Sequence, residues 1–402
     1  MKRLNQYEPI VGKRAIETLQ EDADPLRHKH ILHINSTFTG GGVSEILRGI
    51  TPLMNDLGMR AGWRVIKGNP DFYSITKSFH NAIQGDKINL TVLKKKNFED
   101  VNRDNAYITH IEDHDCMIVH DPQPLPLINY YKKRQPWIWR CHIDASQPYN
   151  PIWKYLSGFI NKYDRAIVSK KEYAGKLKLP YDVVHPAIDP LGLKNIPIKD
   201  FRIRKMLRKF SIDQDKPIIC QVSRFDKWKD PLGVIQSFRK IRKEVNCRLV
   251  LLGSFATDDP DGQAMYNQLF KEANGDPDIQ LINFENDILV NALQRSSQVV
   301  MQKSIKEGFG LTVSEALYKK VPVVAGNAGG IPLQVRHGKS GYLVNSIDSC
   351  AQATVKLLKN RRLRQQMGSY GHNHVKEHFL ITRQLQDYVK FLKRELLQTK
   401  PI

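Results

Sequence analysis

Cysteine is scarce and scattered in this chain. Five occur in 402 residues (Cys116, Cys141, Cys220, Cys247 and Cys350), and no two form a C-x-x-C pair. That spacing argues against a zinc ribbon or a disulfide framework and fits a reducing compartment, so a cytoplasmic location is expected. Long apolar runs are also missing. No stretch of about 18 uncharged apolar residues occurs, so no membrane span is expected. The start, MKRLNQYEPIVGKRAIETLQEDADP, mixes charges and lacks an apolar centre, and no secretory leader is read there. Acidic residues are in the minority, 41 against 62 Lys and Arg, which gives a formal net charge of +21. Such a surface attracts polyanions and phosphorylated substrates. The basic residues are dispersed, however, over KKK (94–96), RIRKMLRK (202–209), RKIRKE (239–244) and KNRRLR (359–364). None of these runs is interleaved with aromatics, so they read as solvated faces, and nucleic acid is not an expected partner.

What is present is an alternation of strand-like and helix-like segments. Apolar residues make up 41% of the chain, and its length suits two domains. HILHIN (30–35), AGWRVIKG (61–68), CMIVHD (116–121), WIWRCH (137–142) and RAIVSK (165–170) read as short buried strands. A second series begins near Pro217 with PIICQVSR (217–224), CRLVLLG (247–253), IQLINF (279–284), QVVMQKS (298–304) and VPVVAG (321–326). Helix-like stretches such as SEILRGITPLMNDLG (44–58) and DPLGVIQSFRKIRKE (230–244) lie between them. Buried strands alternating with helices imply parallel sheets covered on both faces. The expected fold is α/β, two doubly wound Rossmann-like domains facing across a cleft. The stretch 186–216, with Pro186, Pro190 and Pro197 followed by a basic helix, is the linker candidate. Domains are expected over 1–205 and 206–380, with a helical segment 381–402 available to pack back on the first.

In such sheets ligands bind beyond the carboxyl ends of strands, and there the chemistry-bearing residues lie. In SRFDKWKDP (223–231), Arg224 and Lys229 pair a guanidinium fork with an ammonium, a set that suits a diphosphate. In KSIKEGFGLTVSEAL (303–317), Glu307 and Glu315 flank Gly308 and Gly310, and a helix is expected to start at Leu311 or Thr312. Its free amides suit phosphate, and Glu315 is placed in its first turn. STFTGGGVSEIL (36–47) puts Gly40, Gly41 and Gly42 between strand and helix, as a phosphate nest or a close-approach loop would. That loop has neither G-x-G-x-x-G nor the GK[ST] of a Walker A loop. His142, in RCHID (140–144), reads by itself as a core histidine. TDDPDG (257–262) clusters carboxylates and reads as a polar loop rather than a metal site.

The order glycine-rich loop, His, R-x4-K and E-x7-E resembles the retaining glycosyltransferases of family 4, which have the GT-B fold. Longer strings narrow the resemblance. HINSTFTGGGVSEIL, SITKSFHNAIQG (74–85), IVHDPQPLPL (118–127), RCHIDAS (140–146), VSRFDKWKDP (222–231), NALQRSSQVVMQKSIKEGFGLTVSEAL (291–317) and AGGIPLQV (328–335) are similar to the trehalose glycosyltransferring synthases and the related retaining trehalose phosphorylases. The resemblance implies an enzyme that takes glucose from a nucleoside-diphosphate glucose, such as ADP- or UDP-glucose, to free glucose. Arg224 and Lys229 would hold the diphosphate, and Glu315 the ribose. Glu307 with Gly308, Phe309, Gly310, Leu311 and Thr312 would hold the donor sugar and phosphates. His142, Gly41 and Gly42 would approach the donor from the first domain. Lys77, His80 and Asp144 are candidates for the acceptor pocket. The scheme implies no metal and no cofactor beyond the co-substrate. Members of such a family include homodimers, but no segment here marks an interface. A phosphorylase, or another family 4 transferase with a different acceptor, remains the alternative.

Overall fold

The computed structural model of the protein describes residues 3–111, 113–254 and 262–398. Two compact units divide the chain: one holds residues up to Pro186 and those from Ile381 onward, and the other lies between Ala187 and Leu380.

In the first unit the apolar runs become strands β1 (His30–Asn35), β2 (Arg60–Val65), β3 (Cys116–His120), β4 (Trp137–Cys141), β5 (Arg165–Val168) and β6 (Tyr181–Val183). They form one sheet in the order β2-β1-β3-β4-β5-β6, parallel at every pairing. The period of two along a strand gives its faces different characters. Leu32, Ile34, Met117, Val119, Trp137, Trp139 and Cys141 belong to one apolar core. The alternate positions include His33, His120 and Arg140, all buried, with His120 directly opposite Arg140 in register. The helix Ile381–Lys393 packs in this unit, with Tyr388 edge-on to His33 at 6.2 Å. Within the same segment Arg383 donates to the carbonyl of His185 at 2.6 Å, and Lys393 meets Asp22 at 3.0 Å.

The second unit repeats the plan with β7 (Ile218–Val222), β8 (Arg248–Gly253), β9 (Ile279–Asn283), β10 (Ser297–Gln302), β11 (Val323–Gly326) and β12 (Gly341–Val344). The order is β12-β11-β10-β7-β8-β9, again parallel throughout. Helices open where proline and a short polar cap coincide. Pro231 begins the helix Pro231–Ile241, and Asp230 caps it by accepting from the Gly233 amide at 3.2 Å. Ile219, Leu249, Leu251, Val299, Met301 and Val324 are buried between sheet and helices. Each such side chain contributes about 1.5–3 kcal/mol by leaving water. KKK (94–96) lies in the helix Val92–Ile108, and RIRKMLRK in the helix Asp200–Lys209. Among the described residues no helix is long and apolar enough to cross a membrane. The carboxylates at 257–261 lie outside the described residues.

Candidate active site

Between β7 and β10 the strand order of the second sheet reverses. Chain leaving these two strands at their carboxyl ends diverges, and the gap so made is where open α/β sheets take ligands. The loop after β7 carries Arg224 and Lys229, and the loop after β10 carries Glu307. Backbone and side-chain bonds fasten the two loops together. Gln221 on β7 donates from Nε2 to the Lys229 carbonyl at 2.8 Å, Asp226 accepts from the Trp228 amide at 2.8 Å, and the Trp228 carbonyl accepts from the Ile305 amide at 2.8 Å. Lys229 Nζ then lies 2.7 Å from both carboxylate oxygens of Glu307, and Ser304 Oγ donates to Oε2 at 3.1 Å. Two motifs 78 residues apart thus form one ion pair, with the side chains only 17% and 7% exposed. Arg224 is more open, at 30%, and its ion pair with Asp226 is long at 3.8 Å.

Glu307 leads into the helix Leu311–Tyr318 through Gly310, whose φ of 84° is left-handed and favours glycine. The N-cap, Gly310, has no side chain to cap this helix, so the Leu311 and Thr312 amides can meet an anion. Buried Gln334 fixes the turn. Its Oε1 accepts from the amide and hydroxyl of Ser314 at 3.0 and 2.6 Å, and its Nε2 donates to the Phe309 carbonyl at 2.5 Å. Sequence reasoning missed that role; Gln334 stood out only as part of the string AGGIPLQV. One expectation needs correction. The helix begins at Leu311, so Glu315 falls in its second turn, not its first. It is buried to 2% exposure, with Oε1 3.9 Å from Lys194 Nζ. It therefore does not complement the helix dipole as a first-turn acid would.

The first unit has its own reversal, between β1 and β3. The glycine-rich loop leaves β1 there and enters the helix Gly42–Asp56, whose N-terminus no side chain caps. Gly41 has φ 166° and ψ 165°, extended backbone open to any residue, and a Cβ built on it meets nothing within 4 Å. Neither conformation nor the chain's own packing calls for glycine at 41. His142 follows β4, its amide donating to Asp121 Oδ1 at 2.7 Å. Its ring stacks on His120 at 5.2 Å, with His142 Nε2 2.9 Å from His120 Nδ1. His120 Nε2 in turn lies 3.0 Å from His33 Nδ1. Burial drives protons off all three. His33 falls to about 4, and His120 and His142 lie well below the usual 6.5, with the Arg140 guanidinium adding to the effect on the latter two. His142 is thus the half-buried end of a polar string rather than a lone core histidine. Lys77 and His80 sit a turn apart on the helix Pro70–Ile83, the lysine buried and the histidine half-buried. Asp144 is buried, and its Oδ1 accepts from the amide and hydroxyl of Ser146 at 3.1 and 2.6 Å.

Two doubly wound domains, one holding a basic pair and a carboxylate at its strand-order reversal, define a glycosyltransferase of the GT-B fold. Residues 202–374 match the family model for group 1 glycosyl transferases, and residues 33–175 match the model for the N-terminal domain of trehalose synthase. The chain is 43% identical over 398 residues to a trehalose synthase from Thermococcus litoralis, covering 97% of each protein. To a trehalose synthase from Rubrobacter xylanophilus it is 41% identical over 407 residues, covering 98% of this chain and 97% of that one. Among solved structures, the α,α-trehalose 6-phosphate synthase from Burkholderia multivorans superposes with a TM-score of 0.73 over 92% of this chain and 99% of that one, at 15% identity, a likeness of fold alone. The chain belongs to the trehalose synthase family.

Proposed function

We propose that the protein transfers glucose from a nucleoside-diphosphate glucose to free glucose, with retention, to give α,α-trehalose and a nucleoside diphosphate in a reversible reaction. The observation that carries this reading is the joining of Lys229 to Glu307 beside Arg224 at the β7/β10 reversal. Charge develops in two places during such a transfer. The leaving diphosphate becomes more negative, and the sugar takes on oxocarbenium character. Arg224, Lys229 and the uncapped amides at Leu311 and Thr312 stabilise the diphosphate where it leaves, so no metal is called for. Glu307, with the amides of Gly308, Phe309 and Gly310, orients the sugar hydroxyls, and Glu315 takes the ribose. Gly41 and Gly42 leave room for the ligand. His142 contacts a hydroxyl of the donor sugar, and Lys77, His80 and Asp144 belong to the acceptor side.

Retention here needs no protein nucleophile: the acceptor hydroxyl attacks from the face the phosphate leaves, and the phosphate takes its proton. A double displacement would need two carboxylates about 5 Å apart on opposite sides of the sugar. Glu307 is instead engaged by Lys229 and Ser304, and Glu315 is buried beside Lys194. The five cysteines are all buried free thiols, which supports a reducing, cytoplasmic setting. The test is a product assay with ADP-, UDP- or GDP-glucose plus glucose, without phosphate. Trehalose with release of nucleoside diphosphate supports the reading and ranks the donors. No product there, but glucose 1-phosphate from trehalose plus phosphate, replaces it with a phosphorylase.

A further inference from the structure

Three histidines on adjacent strands form a continuous string: His33 on β1, His120 at the end of β3 and His142 just beyond β4. The links are Nδ1 of His33 to Nε2 of His120 at 3.0 Å, and Nδ1 of His120 to Nε2 of His142 at 2.9 Å. A metal cannot gather them, because His120 spends both ring nitrogens on its neighbours. All three are neutral near pH 7, so each ring carries one N–H and one lone pair. His120 must therefore donate at one nitrogen and accept at the other, and the string runs in one direction throughout. Two directions are available. In one, His142 donates inward and the last hydrogen ends on His33 Nε2. In the other, His33 donates outward and the last hydrogen ends on His142 Nδ1.

The surroundings choose between them. His33 Nε2 is buried with no hydrogen-bond partner among the described residues. Arg140, on the neighbouring strand, is also fully buried. Its Nη2 reaches Val184 O at 2.8 Å and Ser169 Oγ at 3.3 Å, and the Tyr388 hydroxyl lies beside the guanidinium, but Nε and Nη1 make no hydrogen bond of good geometry. No carboxylate pairs with Arg140 among the described residues, and Asp387 is taken by Arg383. Around Arg140 and the helix Ile381–Lys393, the buried side-chain atoms without a partner among the described residues are four donors, Arg140 Nε and Nη1, Arg383 Nε and Gln384 Nε2, against one acceptor, Gln384 Oε1, so donors are in surplus. Another N–H pointing into this core from His33 would add one more buried donor to that surplus, whereas a lone pair there adds none. At the far end, no described residue bonds to His142 Nδ1.

We propose that His33 and His120 are positioning residues that hold His142 with its hydrogen on Nδ1, so that His142 presents an N–H donor to a hydroxyl of the donor sugar. The inference rests on the reading of His142 as a sugar contact. A free imidazole in water favours the hydrogen on Nε2, so the string holds the less common tautomer ready before substrate arrives. This is the pre-orientation that a second hydrogen bond imposes on a functional histidine.

Ring-nitrogen NMR of the full-length protein with labelled histidine, near neutral pH, reads the tautomers directly, with His142→Phe used for assignment. The expected result is hydrogen on Nδ1 of His142; hydrogen on Nε2 overturns the proposal. Kinetics supply a second arm. His33→Leu removes the innermost donor and should lower kcat about tenfold or more, with donor KM little changed. His33→Gln, whose amide still donates to His120 Nε2, should recover most of that loss. If the two variants lose activity equally and in step with thermal stability, the role of His33 is structural and the proposal fails. Full activity in His142→Phe would instead remove the sugar contact beneath it, whatever the tautomers prove to be.

Discussion

Lys229 Nζ stands 2.7 Å from each carboxylate oxygen of Glu307, joining the loop after β7 to the loop after β10. The pair is largely desolvated. Removing one partner leaves the other charge buried without the ion it faced, which costs far more than losing the pair as a whole. Lys229→Met should therefore destabilise the second unit by about 3 kcal/mol, and Lys229→Met with Glu307→Leu should regain much of it. Urea unfolding of the two variants measures this. Equal stability of the single and double variants would mean that the pair is not coupled.

Arg224 separates function from stability more cleanly. It is partly exposed, and its ion pair with Asp226 is long. Arg224→Ala should lower kcat/KM about 100-fold or more while the melting temperature stays unchanged. Normal turnover by a folded variant would remove Arg224 from the diphosphate site.

Gly41→Ala asks whether the glycine-rich loop serves a ligand. The backbone there is extended and the space beside it open, so stability should change by no more than about 0.5 kcal/mol. Turnover should nonetheless fall, by roughly 100-fold if the methyl displaces the donor by an ångström. Thermal melting and steady-state rates on one preparation decide it, and a fully active variant would make the loop a plain turn.

Glu315→Gln tests the ribose assignment. Calorimetric titration with a nucleoside diphosphate should show weaker binding by about tenfold, the loss of one charge-assisted hydrogen bond. Undiminished affinity would leave Glu315 as a structural partner of Lys194.

The histidine string makes stability depend on pH with a definite sign. His33 has a folded pKa of about 4 against an ordinary 6.5, and His120 and His142 are lowered too. As pH falls through 6.5 the unfolded chain takes up these protons and the folded chain does not. Stability is therefore full above about pH 6.5 and declines toward pH 4, by about 1.4 kcal/mol per pH unit for each such group. Urea midpoints across that range should fall more steeply than one histidine allows, and a flat profile would show that the string protonates without cost.

Much of this protein was decided by the sequence itself. Apolar runs of four to six residues, punctuated by glycine and proline, set ten of the strands, because a buried parallel strand needs little more than β-branched and aliphatic side chains. The edge strands β6 and β12 escaped notice: YDV is only three residues with Asp182 at its centre, while GYLV, as long as β5 and β11, was not set apart from the turn before it. The R-x4-K and E-x7-E spacings put Arg224, Lys229 and Glu307 in loops after strands. Only the tertiary structure could set those loops side by side, since the adjacency of β7 and β10 is a matter of strand order and leaves no local mark. The helix starts at Leu311, one of the two starts expected, and Glu315 lies a single residue past its first turn. Gln334 and the string from His33 to His142 were hidden for a further reason. Their partners lie 20 to 87 residues away, and a hydrogen bond requires a distance and an angle that no local pattern encodes.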